Sequence, residues 1–458
     1  MKSTNPKSTV SPARAAAFEI LLCVQDKDAF ASELLHARRF AQLSPADHGL
    51  LTELVMGVLR WRSRLDIAIA AVCSQPIGKL DAEVLNALRL GTYQLGWLER
   101  VPARAAIHES VELVKEARKR SAAGLANAVL RKLAEDRSWR ETTCQAGYIV
   151  SLARQYAHPS WLVERWNAQF GSEQAEKICE YDQQPPISAI RLRDPAAEQE
   201  LHDAGIQLAP GALLSSARRV LSGDITHSEA FRARRVVIQD EGSQLVAALL
   251  GKGARLLDCC AAPGSKTSAF ADRNPDATVV AADVHPHRAL LLRQLVRGPQ
   301  VHVLAADARA LPVEIWFDRV LADVPCSGTG TLSRNPEIKW RLRSDDLADL
   351  HARQVEILSA ALNRLSAGGR LLYSTCSLER EENENVVSEV LARSPGVSIV
   401  DCASELRRLK DSGELVWAGV ESLSSGQFLR TIPGVHPCDG FFAAILGRSE
   451  TPTGSPEN

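Results

Sequence analysis

Long apolar runs are missing from this 458-residue chain. No stretch reaches the ~18 consecutive apolar residues that a membrane helix needs, so no spanning segment is expected. Arg14 and Glu19 interrupt the start of the chain, which does not read as a signal peptide. The ten cysteines include no C-x-x-C pair and no regular spacing. This excludes a disulfide framework and a zinc site, predicts no metal, and suits a reducing, cytoplasmic location. The dinucleotide fingerprint G-x-G-x-x-G is also missing, which argues against NAD.

Net charge is almost missing as well, at −1, but the total hides an asymmetry. Residues 1–140 hold 21 Lys+Arg against 15 Asp+Glu, whereas the remainder holds 33 against 40. A basic module joined to an acidic one suggests nucleic-acid contact by the first, although ordinary surface scatter gives the same totals. The length exceeds one ordinary core and implies two or three domains.

What is present falls into segments. Residues 1–10 are polar and expected to be disordered. From Pro12 to about Ala134 the pattern is helical. Ser44-Pro45-Ala46-Asp47 marks a helix start, with Ser44 as cap and Asp47 placed for a capping box. Leu51, Leu54, Val55, Val58 and Leu59 then line one helix face. The absence of strand-like alternation makes residues 1–140 an all-α bundle. Lys115, Arg118, Lys119, Arg120, Arg131 and Lys132 gather late in it. They read either as an RNA phosphate track or as a solvated helix face. Residues 141–235 read as a small α+β subdomain, with a helix around Trp161–Trp166 and a strand around Ile187–Arg193.

From Val236 strands and helices alternate. Strands are predicted at 255–260, 278–283, 301–306, 319–324 and 370–375, and helices at 286–297, 345–365 and 381–393. This pattern implies an α/β, Rossmann-like domain over 236–450, its parallel sheet covered on both faces. A disordered tail is expected at 451–458. Ligands of such sheets lie beyond the carboxyl ends of the strands. Asp283, Asp307, Asp323 and Cys376 all fall at or just past such ends.

The organising stretch is Asp258-Cys259-Cys260-Ala261-Ala262-Pro263-Gly264-Ser265-Lys266-Thr267. It reads as strand, tight turn and helix N-terminus, which lets a ligand approach the backbone. Asp283 follows Gly264 at nearly the ~20-residue spacing of a ribose-binding acid. A nucleotide-like ligand without pyrophosphate fits, and S-adenosylmethionine (SAM) is the candidate. Asp307 could accept from an adenine amino group, or simply form a turn. Asp323-Val324-Pro325-Cys326-Ser327-Gly328-Thr329-Gly330 and Leu372–Ser377 bring two cysteines to the same end of the sheet. A thiolate is a strong nucleophile once its pKa is lowered. Glu379, Glu381, Glu382 and Glu384 follow, and read as carboxylates favoured by a helix dipole.

Four stretches, Asp258–Thr267, Asp323–Glu337, Ser374–Ser377 with Glu382-Asn383-Glu384, and Asp439-Gly440-Phe441-Phe442, resemble the SAM-dependent RNA 5-methylcytosine methyltransferases. The resemblance spans about Val236 to Leu446. Gly57–Trp61, Ala87–Gly91 and Asn127–Arg131 resemble the NusB-like RNA-binding domain. That domain order is similar to the bacterial RsmB/Sun family, which methylates small-subunit ribosomal RNA. The resemblance implies a SAM-binding turn of Cys260, Ala261, Ala262, Pro263, Gly264, Ser265 and Lys266. It implies Asp283 at the ribose, Asp307 at the adenine, and Asp323 near the methionine end and the target base. It makes Cys376 the nucleophile and Cys326 the group that assists product release. The implied partner is small-subunit rRNA before full assembly, met by a monomer.

Two positions depart from the family pattern. Ser265 stands where a second Gly is usual, and Arg193 stands where an Asn is common. Rival readings are a DNA cytosine methyltransferase, the same chemistry on transfer RNA, and a non-catalytic RNA-binding assembly factor.

Overall fold

The computed structural model describes residues 10–26, 29–141, 147–296 and 298–450. The expected disordered segments at the two ends fall outside this range, apart from Val10. Two compact units are present. One comprises Met1–Pro185 with Leu332–Arg341, the other Pro186–Thr331 with Leu342–Asn458.

The first unit is helical. Its long helices are Pro12–Asp26, Pro45–Val72, Ala82–Trp97, Ala103–Glu116 and Ala123–Glu135. Leu51, Leu54, Val55, Val58 and Leu59 point into one core with Leu88, Val129 and Leu130. The Ser44 hydroxyl accepts the Asp47 N–H at 3.1 Å and donates to the Asp47 carboxylate at 2.7 Å. The cap is therefore made as expected, but the acid returns to the serine hydroxyl. Helices Tyr148–Gln155, Ser160–Phe170 and Ser172–Gln183 complete the chain's first pass. The segment read as 141–235 is thus divided at Pro185, with these three helices in this unit and its sheet, with helices Ala196–Asp203 and Glu229–Arg232, in the other.

Residues Leu332–Arg341 also belong to this unit, although the sequence places them after the Pro-Cys loop. The Glu337 carboxylate accepts the Ala31 N–H at 2.8 Å. Lys339 Nζ donates to Arg60 O at 3.1 Å, and Trp340 Nε1 to Leu59 O at 2.7 Å. Arg341 caps the carbonyls of Val24 and Ala29. Lys339 is fully buried, and burial pulls its pKa down to about 7.

The second unit holds two sheets. In the smaller, β1 (Ala189–Leu192), β2 (Gln207–Pro210), β3 (Ala217–Ser222) and β4 (Val236–Ile238) run in the order β2-β3-β1-β4. The larger contains β5 (Arg255–Asp258), β6 (Thr278–Asp283), β7 (Val301–Ala305), β8 (Phe317–Asp323), β9 (Leu365–Thr375), β10 (Val397–Val400), β11 (Ser424–Ser425), β12 (Phe428–Thr431) and β13 (Phe441–Arg448). Its order is β11-β12-β13-β9-β8-β5-β6-β7, with β10 on β13. The five strands read from sequence, β5 to β9, pair in parallel. The sheet as a whole is mixed, because β13 enters antiparallel beside β9. Phe442, Ala444 and Leu446 pack into the same core as Leu257, Val320 and Tyr373. A strand with both faces buried carries no alternation, which is why the expected all-parallel sheet missed it.

Candidate active site

The turn after β5 is built by small residues and one glycine. Cys259 N donates to Leu321 O at 2.9 Å and Ala261 N to Ala282 O at 2.8 Å, so the turn bridges the ends of β8 and β6. Gly264 sits at φ +113°, immediately before helix Ser265–Arg273. A Cβ there would lie 2.6 Å from Leu292 Cδ1 and 2.7 Å from Val296 Cγ2. The turn therefore needs glycine for both its backbone and its packing. Ser265, by contrast, is an ordinary first helical residue.

Asp258 is buried, accepts the Thr267 hydroxyl at 2.7 Å, and has its pKa pushed up to about 7 by burial. Its Oδ1 has no hydrogen-bond partner among the described residues. An orphaned buried carboxylate oxygen beside a helix N-terminus fits a polar ligand held in this turn, and SAM offers amino and hydroxyl donors. The other strand-end acids follow. Asp283 is buried at the end of β6 and accepts His285 N at 2.9 Å. Asp307 lies past β7, where its carboxylate accepts Arg309 N at 2.9 Å and Arg309 Nη2 at 2.7 Å. Those Arg309 bonds hold its pKa down at about 2. Asp307 thus makes the turn contact considered in the sequence, and an adenine would share it with Arg309.

At the ends of β5, β8 and β9 the remaining groups meet. Lys266 Nζ donates to Asp323 Oδ2 at 2.8 Å, and Ser374 Oγ donates to Asp323 Oδ1 at the same distance. Burial works against the Lys266 ammonium. The charges of Asp323, Cys376 and Asp258 outweigh it, so the lysine pKa rises. The sulfurs of Cys326 and Cys376 lie 3.4 Å apart, both half-buried. The Cys326 thiol is pushed well up, first by its bond with Cys376, then by burial and the Cys376 charge. Cys260, also half-buried in the turn, has its thiol raised by burial. Gly330 N donates to Cys376 O at 2.9 Å and Gly440 N to Gly330 O at 2.8 Å. This close backbone approach accounts for the glycine in Asp439-Gly440-Phe441-Phe442.

Two site features went unrecognised in the sequence. Glu382 is not a solvated helix-start carboxylate. It is buried and accepts Ser327 N at 2.8 Å and Gln354 Nε2 at 2.9 Å. Only Glu384 lies in the first turn of the following helix, Glu384–Ala392. Arg193, in the unexpected position, binds the Asp272 carboxylate through Nε at 2.9 Å, and Arg191 reaches the same acid at 2.7 Å. Both arginines tie the small sheet to helix Ser265–Arg273.

The basic residues of the helical unit lie apart in environment. Lys115 pairs with Glu112 at 2.6 Å and Lys119 with Asp81 at 3.2 Å. Arg118, Arg120, Arg131 and Lys132 are exposed. Arg131 and Lys115 line a groove of 810 Å³ between helices Ala103–Glu116 and Ala123–Glu135, together with Arg104, His108 and Asn127. The i, i+4 spacing of Arg104 and His108 was the available signal for this face.

Comparison with known proteins extends over nearly the whole chain. The family described as 16S rRNA methyltransferase RsmB/F matches residues 248–447. The NusB family matches 11–135, and a ferredoxin-like domain of RsmF/B-like methyltransferases matches 158–222. The probable ribosomal RNA small subunit methyltransferase B of Bacillus subtilis is 34% identical over 94% of this chain and 98% of its own. The corresponding protein of Vibrio cholerae is 33% identical over 95% and 97%. In structure, the chain is similar to PH0851, with a TM-score of 0.77 at 22% identity over 96% of this chain and 100% of that one. A methyltransferase homolog from Pyrococcus horikoshii aligns at TM-score 0.54 and 25% identity, covering 66% of this chain and 99% of its own.

Proposed function

Because the chain belongs to the RsmB/F family of small-subunit ribosomal RNA methyltransferases, we propose that it methylates C5 of one cytosine in small-subunit rRNA. The observation that carries this reading is the pair of sulfurs 3.4 Å apart beside the Lys266–Asp323 pair. Cytosine C5 is a poor nucleophile. Addition of the Cys376 thiolate to C6 makes it enamine-like. Asp323, held by Lys266 and Ser374, would contact the N3 edge of the base. SAM, when bound, supplies the electrophilic methyl group that C5 takes. The turn Cys260–Lys266 would hold it, with Asp283 at the ribose and Asp307 at the adenine.

The order of ionisation follows from the roles that the family resemblance implies for the two thiols. Two thiols in contact do not both ionise readily. While Cys376 carries negative charge, Cys326 keeps its proton. Once Cys376 is a neutral thioether on C6, Cys326 loses that opposing charge and can ionise. It then removes the C5 proton, and the electron pair expels the Cys376 thiolate to give the methylated base. The base must leave any stack to reach both sulfurs.

The helical module 1–140 would hold RNA, the sheet-bearing part of the segment 141–235 would brace the catalytic module 236–450, and a monomer in the cytoplasm would suffice. The test is a methyl-transfer assay with labelled SAM on unmethylated small-subunit rRNA, with transfer RNA and DNA alongside, and mass spectrometry of the product. A single 5-methylcytosine in the rRNA supports the proposal. Label in transfer RNA alone keeps the mechanism and discards the substrate. Absence of label in every substrate, with SAM bound, favours a binding role.

A further inference from the structure

We propose that Glu382 is a positioning residue that holds the two thiol-bearing loops in register, an inference that rests on the roles proposed above for Cys326 and Cys376. The carboxylate has no exposure, so it cannot touch substrate. It is an acceptor with two oxygens, and four donors converge on it. Oε1 takes Ser327 N at 2.8 Å and Gln354 Nε2 at 2.9 Å. Oε2 takes the hydroxyls of Ser327 and Ser377.

Those donors are the residues adjoining the thiols. Ser327 follows Cys326, and Ser377 follows Cys376. Gln354 Nε2 also donates to Pro325 O at 2.9 Å, which fixes the residue preceding Cys326. The Tyr373 hydroxyl donates to Glu382 O and so ties the acid's backbone to β9. Neighbouring Asn383 accepts the Thr375 hydroxyl and donates to Ser377 O at 2.9 Å, bracing the Cys376 loop alone. Glu382 differs in reaching both loops. Burying a carboxylate is costly unless hydrogen bonds compensate, and here the compensation is the clamp itself.

A glutamine can occupy the same place. Its carbonyl can keep Ser327 N and Gln354 Nε2, while its amide donates to the two hydroxyls, which can turn to accept. Glu382→Gln therefore preserves position without charge, and Glu382→Ala removes both.

The full-length chain is assayed for kcat and for KM of SAM on small-subunit rRNA. Separately, diamide oxidises the two thiols to a Cys326–Cys376 disulfide and is itself reduced to the hydrazine, and peptide mass spectrometry gives the rate. Glu382→Ala is expected to lower kcat by roughly 100-fold, as a displacement of reacting groups does, and to slow disulfide formation about tenfold. KM for SAM is expected to stay within about threefold, because the loss lies in the reacting geometry. Glu382→Gln is expected to restore both rates to within about fivefold of the unaltered chain. Wild-type rates in Glu382→Ala would overturn the inference, as would Glu382→Gln being as impaired as Glu382→Ala. Should Glu382→Ala not fold, Ser377→Ala removes one donor and is expected to slow both rates about tenfold, with unchanged rates overturning the inference. If the unaltered chain makes no 5-methylcytosine, the proposed reaction falls, yet the disulfide rates still decide the role of Glu382.

Discussion

Cys326 and Cys376 are brought to 3.4 Å by strand order, since β8 and β9 are parallel neighbours and each cysteine lies just past the end of its strand. The pairing Asp323↔Ser374 sets the register, and Ser374 donates to that same acid. Strand order thus sets the two loops side by side, and the hydrogen bonds of Glu382 link them beyond the strand ends.

Division of labour between them gives the first expectation. Cys376→Ala should abolish turnover. Cys326→Ala should trap the adduct and accumulate a covalent RNA–protein complex on a denaturing gel. Normal turnover by Cys376→Ala would mean that the nucleophile lies elsewhere.

Lys266→Met should lower turnover by about 10²–10³-fold, the size seen when one preorganised charge contact is removed. The substitution removes the Lys266 ammonium, 2.8 Å from the Asp323 carboxylate, and leaves only the Ser374 hydroxyl bond of those described for that acid. Single-turnover kinetics with saturating SAM read the effect directly. Recovery in Lys266→Arg would assign it to charge, since arginine restores the cation with different geometry.

Gly330→Ala tests the backbone contact beneath the thiols. The added Cβ would lie 2.3 Å from Gly440 O and 2.8 Å from Gly440 Cα. Overpacking of this kind costs about 1–3 kcal/mol. Urea denaturation should show the loss, and activity should fall with it, because Gly330 N also holds Cys376 O. An unchanged midpoint would show that the β13 end yields easily.

Lys339 gives a pH dependence. Its pKa is lowered to about 7 in the fold by burial, against an ordinary lysine value of 10.5. Between these values the unfolded chain binds the proton and the folded chain does not. Stability of the helical unit should therefore rise with pH from about 7 to about 10, and the cost is present in full below pH 7. Lys339→Met should flatten that rise in thermal melts across this range. A variant with the same slope as the unaltered chain would place the titration elsewhere.

Much of the catalytic half was legible in the sequence because apolar runs ended on acids: Asp283 and Asp323 close β6 and β8, and Asp258 closes β5. The helix at 45–72 was legible through Ser44 and a clean apolar face. What escaped shares one physical cause, dependence on contacts distant in the chain. β13 is buried on both faces and shows no period. Glu382 reads as a helix-start acid until Ser327, 55 residues away, is seen to donate to it. Leu332–Glu337 read as the end of a catalytic motif, whereas Arg60 and Leu59 take the hydrogen bonds of the adjoining Lys339 and Trp340, more than 270 residues away.

That last segment bears on how such a chain can be reshuffled. A recombination event that exchanged residues 1–185 for a foreign helical unit would leave Lys339, Trp340 and Arg341 facing carbonyls that no longer match. The ten residues Leu332–Arg341 would have to travel with the helices, although they are encoded within the other unit. Because Glu337, Lys339 and Trp340 meet backbone atoms of Ala31, Arg60 and Leu59, what must be inherited together is the path of the helices and not the side chains at those three positions.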